Sequence, residues 1–273
     1  MSIPIIKWAG GKRQLLSELK QRIPKEYNRY YEPFFGSGAL FFDVQPKDAI
    51  INDFNKELIN MYSFVCNEPD GVIGVLDELQ NEYNALDSLE DKSECFYRMR
   101  ERYNEGIVNG VLNKESAALF IFLNKSCYNG LYRVNSKGLF NTPFGKHKKI
   151  KLYDKSNFKA CVKALGNATI KYGDFEDACE KASYGDFVYF DSPYYDTFDT
   201  YQSGGFAVEE HIRLATLFTN LTEKGVLCML SNSDTDFIKD LYKDYKIDVV
   251  EVKRMINCNG QNRTGTEIIV TNY

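Results

Sequence analysis

The sequence predicts a doubly wound α/β domain, with a mostly parallel sheet, interrupted by a helical insertion from about residue 60 to about residue 145. Three observations predict it. Short apolar runs alternate with stretches of helical periodicity, a glycine turn follows the first strand, and residues 68–126 read as long, polar and helix-rich. In chain order, Leu15, Leu16, Leu19 and Ile23 recur at helical spacing after Gly10-Gly11, and strands are expected at 29–34 and 48–52. A helix then runs through Leu58, Met61 and Tyr62. The insertion carries one stripe of Leu76, Leu79, Tyr83 and Leu86 and another of Phe96, Met99 and Tyr103. Strands resume at 169–172, 186–190 and 226–231. A helix with Val208, Ile212, Ala215, Phe218 and Leu221 on one side separates the last two. The final runs, 247–252 and 267–271, are joined by a segment too short for a helical crossover, so they are expected to pair as an antiparallel edge hairpin.

Composition narrows the function classes. With 273 residues, 44% apolar and 26% charged, the chain has the balance of a globular protein and not of a disordered one. No run approaches the roughly 18 apolar residues of a membrane span, and Met1–Lys7 is too short and polar for a signal peptide. No membrane partner is therefore expected. Seven cysteines without a C-x-x-C pair point to reduced thiols in a cytoplasm, not to a disulfide framework or zinc cage. Only His147 and His211 are present, which removes support for His-rich metal sites and for most Ser-His hydrolases. No metal is expected, and both histidines read as solvated or structural.

The net charge of −4 conceals an asymmetry. Between Asn124 and Lys155 eight Lys/Arg face one acid, a net +7, which leaves −11 on the rest of the chain. The basic window is rich in Gly, Asn and Pro and interleaved with Tyr128, Tyr132, Phe140 and Phe144. Phosphate-seeking charge beside stackable rings is the footprint of nucleic-acid binding.

Three loops can carry chemistry. In Tyr31-Glu32-Pro33-Phe34-Phe35-Gly36-Ser37-Gly38 a strand meets a glycine turn and then a helix, at the strand end where α/β sheets bind cofactors. Phe41 stands where a dinucleotide fingerprint has its third glycine. Asp53 ends the second strand, placed either to accept ribose hydroxyls or to cap the helix beginning near Asn55. In the second loop, an apolar strand delivers Asp191-Ser192-Pro193-Tyr194. An acid, a backbone carbonyl and a ring together suit a planar exocyclic amine. The third, Lys7-Trp8-Ala9-Gly10-Gly11-Lys12, puts Gly-Gly and Lys at an expected helix N-terminus able to hold an anion, although the P-loop spacing is absent.

Taken together, K-W-A-G-G-K, E-P-F-F-G-S-G-A-L, I-N-D-F-N, C-Y-N-G-L-Y-R-V-N with F-N-T-P-F-G-K, and D-S-P-Y resemble the DNA adenine methylase (Dam-type) family, the D12 class of N6-adenine DNA methyltransferases. The resemblance implies a Rossmann-like S-adenosylmethionine-dependent fold that methylates adenine in double-stranded G-A-T-C. Its catalytic and cofactor-binding domain would be 1–60 with 146–273, and its helical target-recognition domain 61–145. It implies Asp191, Ser192, Pro193 and Tyr194 as the catalytic group. Trp8, Lys12, Phe35, Gly36, Ser37, Asp53, Asp174, Phe175 and Asp191 would bind the cofactor, with Lys12 near its methionine carboxylate, Asp53 on the ribose and Asp174-Phe175 at its adenine. DNA would meet Lys7, Tyr128, Asn129, Leu131, Arg133, Pro143 and Lys146. Tyr128 would wedge into the stack, Leu131 and Pro143 touch the thymine methyl, and Arg133 and Lys7 read the guanines. Lys146, Lys148 and Lys149 suit phosphates.

The family tetrapeptide is usually D-P-P-Y, and Ser192 departs from it. Serine serves if only its main-chain carbonyl is used, though it lacks proline's fixed φ. The expected mechanism extrudes the target adenine, stacks it on Tyr194, and lets its amino group donate to Asp191 and to the Ser192 carbonyl. Transfer is then assisted by proximity and electrostatics, with no covalent intermediate. Cys127 as a thiol nucleophile is disfavoured by its place in the recognition segment. A second reading is an inactive DNA-binding regulator that keeps the methyltransferase fold. A nicotinamide-dependent oxidoreductase is opposed by the absent third glycine and by the basic segment. Arg263, in the loop around Arg254–Gly265, is a candidate phosphate contact.

Overall fold

Parallel strands buried on both faces read as continuous apolar runs, and Phe187-Val188-Tyr189-Phe190 is such a run: all four residues are buried in the computed structural model of the chain. Described are residues 2–12, 14–195, 206–253 and 264–273. In chain order the elements are α1 (Leu16–Arg22), β1 (Tyr30–Glu32), α2 (Ala39–Val44), β2 (Ala49–Asp53) and α3 (Lys56–Asn67). The helical stretch follows as α4 (Pro69–Ala85), α5 (Leu89–Val108) and α6 (Lys114–Ser126), with a short 3₁₀ turn at Tyr128–Gly130. Then come α7 (Lys155–Leu165), β3 (Ala168–Tyr172), α8 (Phe175–Cys179) and β4 (Phe187–Phe190). The chain ends with α9 (Val208–Glu223), β5 (Leu227–Ser233), α10 (Asp236–Leu241), β6 (Lys246–Lys253) and β7 (Thr264–Thr271).

These elements divide into two units. The first is Met1–Gly11, Gly36–Gln45 and Asn55–Tyr172. Its centre is α6, buried almost all round from Ala117 to Asn124 and packed by α3, α4 and α5. A capping box fixes where α6 starts: Ser116 N–H donates to the Asn113 side chain, while Asn113 N–H donates to Ser116 Oγ. The two stripes read from the sequence supply the packing, with Leu76, Leu79 and Tyr83 buried on α4 and Phe96, Met99 and Tyr103 buried on α5, while Leu86 falls just past the end of α4 in extended backbone and is half-buried.

The second unit is Lys12–Phe35, Pro46–Phe54 and Gly173–Tyr273. Within it β2, β1, β4 and β5 run parallel and in that order. The β6–β7 hairpin closes the edge as the antiparallel pair that the sequence predicts; β7 lies antiparallel to β5, with β6 outermost. Leu214, Phe218 and Leu221 of α9 share one core with Val188, Phe190, Cys228 and Leu230. The α9 face differs from expectation by part of a turn. Val208 and Ile212 are exposed, and His211 takes the buried place, because its ring packs edge-on against Tyr195 and Phe206. The strand expected at 29–34 is shorter, stopping before Pro33, which has no N–H to give a ladder.

Among the described residues no helix is long and apolar enough to cross a membrane, and no group of His, Cys, Asp and Glu could hold a metal ion. The six described cysteines are free thiols. Residues 254–263, including Arg263, lie outside the described residues.

Candidate active site

In the second unit, β4 ends at Phe190 and hands the chain to Asp191, Ser192, Pro193 and Tyr194 at the carboxyl edge of the parallel strands. Lys12 Nζ donates to Asp191 Oδ1 at 2.6 Å, and the same oxygen accepts from Ser231 Oγ of β5 at 3.2 Å. With the Ser231 proton given to Asp191, the buried Tyr189 hydroxyl donates to Ser231 Oγ at 2.9 Å, so a chain of hydroxyls leads to the carboxylate. Burial pushes the Asp191 carboxyl above the usual carboxylate range, opposed first by Lys12 and then by Ser231. Lys12 is only 6% exposed and also stands 4.3 Å from the centroid of the Tyr194 ring. Tyr194 donates its hydroxyl to Glu267 of β7, and burial, with the negative charge of Asp191 next, raises its pKa far above normal. The turn is also held by Asn232 of β5, which donates to Ser192 Oγ at 3.1 Å.

Lys12 reaches this place by a route other than the expected one. Gly10, Gly11 and Lys12 are not a helix N-terminus, because α1 begins only at Leu16. Gly11 N–H is turned back onto Trp8 O and Leu15 N–H onto Lys12 O, which delays the helix and leaves Lys12 in the loop.

Asp53 ends β2, and its carbonyl accepts from Gly173 N–H. Between the two roles open to it, the cap is excluded: Asn55 itself caps α3, accepting from Leu58 N–H at 2.8 Å. Asp174 does cap a helix, the short α8, with one oxygen on Glu176 N–H while the other accepts from Arg213. Phe175 is buried, stacked on Phe34 at 5.1 Å between centroids, with the Arg213 guanidinium over its ring. Phe35 is buried, and its N–H donates to Asn52 O.

In the first unit, Trp8 stacks on Tyr132 at 5.3 Å, and Tyr132 on Phe120 at 5.1 Å. Gly36 has φ +48°, and a Cβ there would come within 2.8 Å of Trp8 Cδ1, so the indole and the glycine turn require each other. Ser37 is buried beside it. The backbone of Lys7 is clamped by Asn124, which accepts from Lys7 N–H at 2.9 Å and donates to Lys7 O at 2.8 Å and to Gly130 O at 3.0 Å.

The segment after α6 is two facing arms joined by isolated bridges, Cys127 to Phe144 and Val134 to Phe140. Tyr128, Asn129, Leu131 and Arg133 lie on one arm, Pro143 and Lys146 at the end of the other, and Tyr128 N–H donates to Pro143 O. The Tyr128 ring is 55% exposed on a main chain fixed at both sides, and Asn129 sits at φ 56°, a conformation asparagine tolerates. Arg133, Lys146, Lys148 and Lys149 are exposed. Cys127 is fully buried and its thiol pushed up to about 11 by that burial, so no thiolate is available near neutrality.

Ser231, Asn232 and Glu267 were not singled out by sequence. The available signal was a Ser-Asn-Ser run closing an apolar strand, and one acid at the start of an apolar strand.

A mostly buried carboxylate and an aromatic face at the carboxyl end of a parallel strand, met by an ammonium from a loop, are the arrangement of an α/β enzyme with its chemistry at the sheet edge. The sequence profile of the D12 class of N6 adenine-specific DNA methyltransferases matches residues 8–256, and the chain belongs to that family. It is 41% identical over 278 residues to the Type II methyltransferase M1.LlaDCHI of Lactococcus lactis subsp. cremoris, covering 99% of this chain and 95% of that protein. To the Type II methyltransferase M.MjaIII of Methanocaldococcus jannaschii it is 42% identical over 287 residues, covering 99% of each. To the DNA adenine methylase of Escherichia coli strain K12 it is 32% identical over 274 residues, covering 98% and 94%.

Proposed function

We propose that this chain transfers a methyl group to N6 of an adenine flipped out of double-stranded G-A-T-C. The observation that carries the reading is the mostly buried Asp191 carboxylate at the end of β4, held by the same Lys12 ammonium that stands over the Tyr194 ring. Adenine N6 is a weak nucleophile because its lone pair is delocalised into the ring. A carboxylate oxygen and the Ser192 carbonyl can each accept one amino proton, which concentrates electron density on nitrogen and fixes the direction of attack. Tyr194 supplies the stacking face, and its hydroxyl bond to Glu267 anchors the tip of the ring.

S-adenosylmethionine, when bound, supplies an electrophilic methyl on a sulfonium centre. The residues present fit it. Gly36, whose missing Cβ lets the Trp8 ring close onto the glycine turn, keeps that indole seated for the cofactor. Asp53, at the carboxyl end of β2, suits the ribose hydroxyls. The buried Lys12 ammonium suits the methionine carboxylate. Asp174 and Phe175 suit the adenine, and Trp8, Phe35 and Ser37 are assigned to the same cofactor. In the recognition arm, most of which falls in the 61–145 domain, Tyr128 enters the stack, with Asn129 supporting it. Leu131 and Pro143 meet the thymine methyl, and Arg133 and Lys7 read guanine acceptors. Lys146 holds phosphate.

The test is transfer of labelled methyl from S-adenosylmethionine onto duplexes that differ at single positions of G-A-T-C. Asp191→Ala should abolish transfer and spare cofactor binding. Label that never reaches adenine, or full activity of the Asp191→Ala enzyme, removes the reading.

A further inference from the structure

We propose that Asn232 is the positioning residue of the Asp191–Tyr194 turn, replacing through Ser192 the rigidity that a proline would supply there. This rests on the function proposed above and names how the acceptor geometry is kept.

Asn232 is 1% exposed and Ser192 2% exposed. The Asn232 main chain is held in register opposite Ile268 of β7, so its side chain projects from a fixed base. Its Nδ2 donates to Ser192 Oγ at 3.1 Å. Its Oδ1 accepts from Tyr195 N–H at 3.2 Å and from Ser233 N–H at 2.8 Å. Ser233 Oγ in turn donates to Tyr195 O at 2.9 Å. One buried amide therefore grips the residue before Pro193 and the residue after Tyr194, spanning the two between them.

The two dihedrals of Ser192 are restrained by different means. A residue before proline is pushed to extended ψ by the proline ring, so Pro193 already limits ψ of Ser192. Its φ stays open for serine, where a proline would fix it near −65°. The bond from Ser192 Oγ to a strand residue is what removes that last freedom. The φ of Ser192 sets where its carbonyl points, and that carbonyl is the second acceptor for the target amino group. The Tyr195 bond likewise sets the path of the chain leaving Tyr194.

The test compares wild type, Asn232→Ala, Ser192→Pro and the double variant. It measures kcat, KM for S-adenosylmethionine, melting temperature and amide hydrogen exchange at Tyr195. Asn232→Ala should lower kcat about five- to tenfold, the worth of one or two buried hydrogen bonds, with the cofactor KM little changed. In the Ser192→Pro background the same substitution should cost about threefold or less, because the ring then holds φ. Tyr195 should exchange faster in both Asn232 variants. Equal loss of kcat in the two backgrounds overturns the proposal, as does a lower melting temperature with kcat unchanged. Should Asn232→Ala not fold, Ser192→Ala removes the Oγ acceptor and leaves the Asn232 bonds to Tyr195 and Ser233; a several-fold fall in kcat then supports the proposal and an unchanged kcat overturns it. Wild type that methylates no adenine in any duplex would refute the reaction alone. Tyr195 exchange then decides the clamp, faster exchange in Asn232→Ala supporting it and unchanged exchange overturning it.

Discussion

Lys12 Nζ lies 2.6 Å from Asp191 Oδ1 and 4.3 Å from the centre of the Tyr194 ring, so one buried ammonium touches both the acid and the aromatic that the proposed reaction needs. It is the largest influence opposing the burial that raises the Asp191 pKa, ahead of the Ser231 hydroxyl. Removing it should raise that pKa further. Only the ionised carboxylate accepts the amino proton well, so activity falls as pH drops through this pKa. Lys12→Met, which keeps the stem and loses the charge, should move the acid limb of kcat to higher pH. Ser231→Ala should move it the same way by less. An acid limb that stays put in both variants would assign it to another group.

The Tyr194–Glu267 bond separates two contributions of one side chain. Tyr194→Phe keeps the stacking face and strips only the hydroxyl, leaving Glu267 without that donor. The expected loss of kcat is a few-fold. Tyr194→Ala removes the ring, and base stacking of about 1–3 kcal/mol should disappear with it, weakening binding of a duplex with a flipped adenine by roughly 5- to 150-fold. The check is fluorescence of 2-aminopurine at the target position, with methyl transfer alongside. Equal losses in the two variants would place the function in the hydroxyl, not in the ring.

What the sequence made legible follows from where the signals are local. The β4 run Phe187–Phe190 and the Leu76, Leu79, Tyr83 stripe are periodic, buried and independent of distant partners, and both stand where expected. The edge hairpin followed from loop length alone. The α9 face was misplaced because a histidine counts as polar in a periodicity. The buried His211 is instead tolerated by an aromatic surround assembled from residues 195, 206 and 237, which no local window contains. The loop position of Lys12 escaped for a related reason: Gly10-Gly11 reads equally as a helix start and as a turn, and the partner that the turn lets Lys12 meet, Asp191, is far along the chain. Ser231, Asn232 and Glu267 have meaning only once β4, β5 and β7 are neighbours.

Gly36 and Trp8 offer a test free of the reaction. Alanine at 36 would have to hold φ +48°, a conformation costing an L-residue roughly 1–2 kcal/mol, with its methyl 2.8 Å from Trp8 Cδ1. Gly36→Ala should lower the melting temperature, shift the emission of the single tryptophan and weaken S-adenosylmethionine binding. Unaltered emission would mean that the ring is not seated on this turn.

His211 is 1% exposed, and burial lowers its pKa to about 4. Unfolded, it titrates near 6.5. Below that pH the unfolded chain binds a proton that the folded one refuses, so stability is full above about pH 7 and is lost as pH falls from there towards 4. By pH 5 the loss is about 2 kcal/mol. His211→Phe keeps an aromatic in the same surround and cannot titrate, so its urea stability should fall less between pH 7.5 and 5. Parallel stability curves for the two proteins would show that the histidine titrates normally in the folded state.

The exposed cations of the segment after α6 should divide by what they touch. A lysine on phosphate contributes affinity without sequence information, and losing one lowers the slope of log K against log salt by about 1. Lys148→Gln and Lys149→Gln should therefore weaken binding to G-A-T-C and to unrelated duplexes alike, each with a shallower salt dependence. Arg133 lies on the same arm as the exposed Tyr128, and its fork suits the O6 and N7 of guanine. Arg133→Ala should remove about 1–3 kcal/mol of discrimination at one guanine, so that substrates altered there are methylated nearly as well as G-A-T-C. Methylation kinetics on singly substituted duplexes at two salt concentrations separate the classes. If Arg133→Ala weakened all sequences equally, Arg133 would join the lysines as a backbone contact, and the reading of that guanine would have to come from elsewhere on the arm.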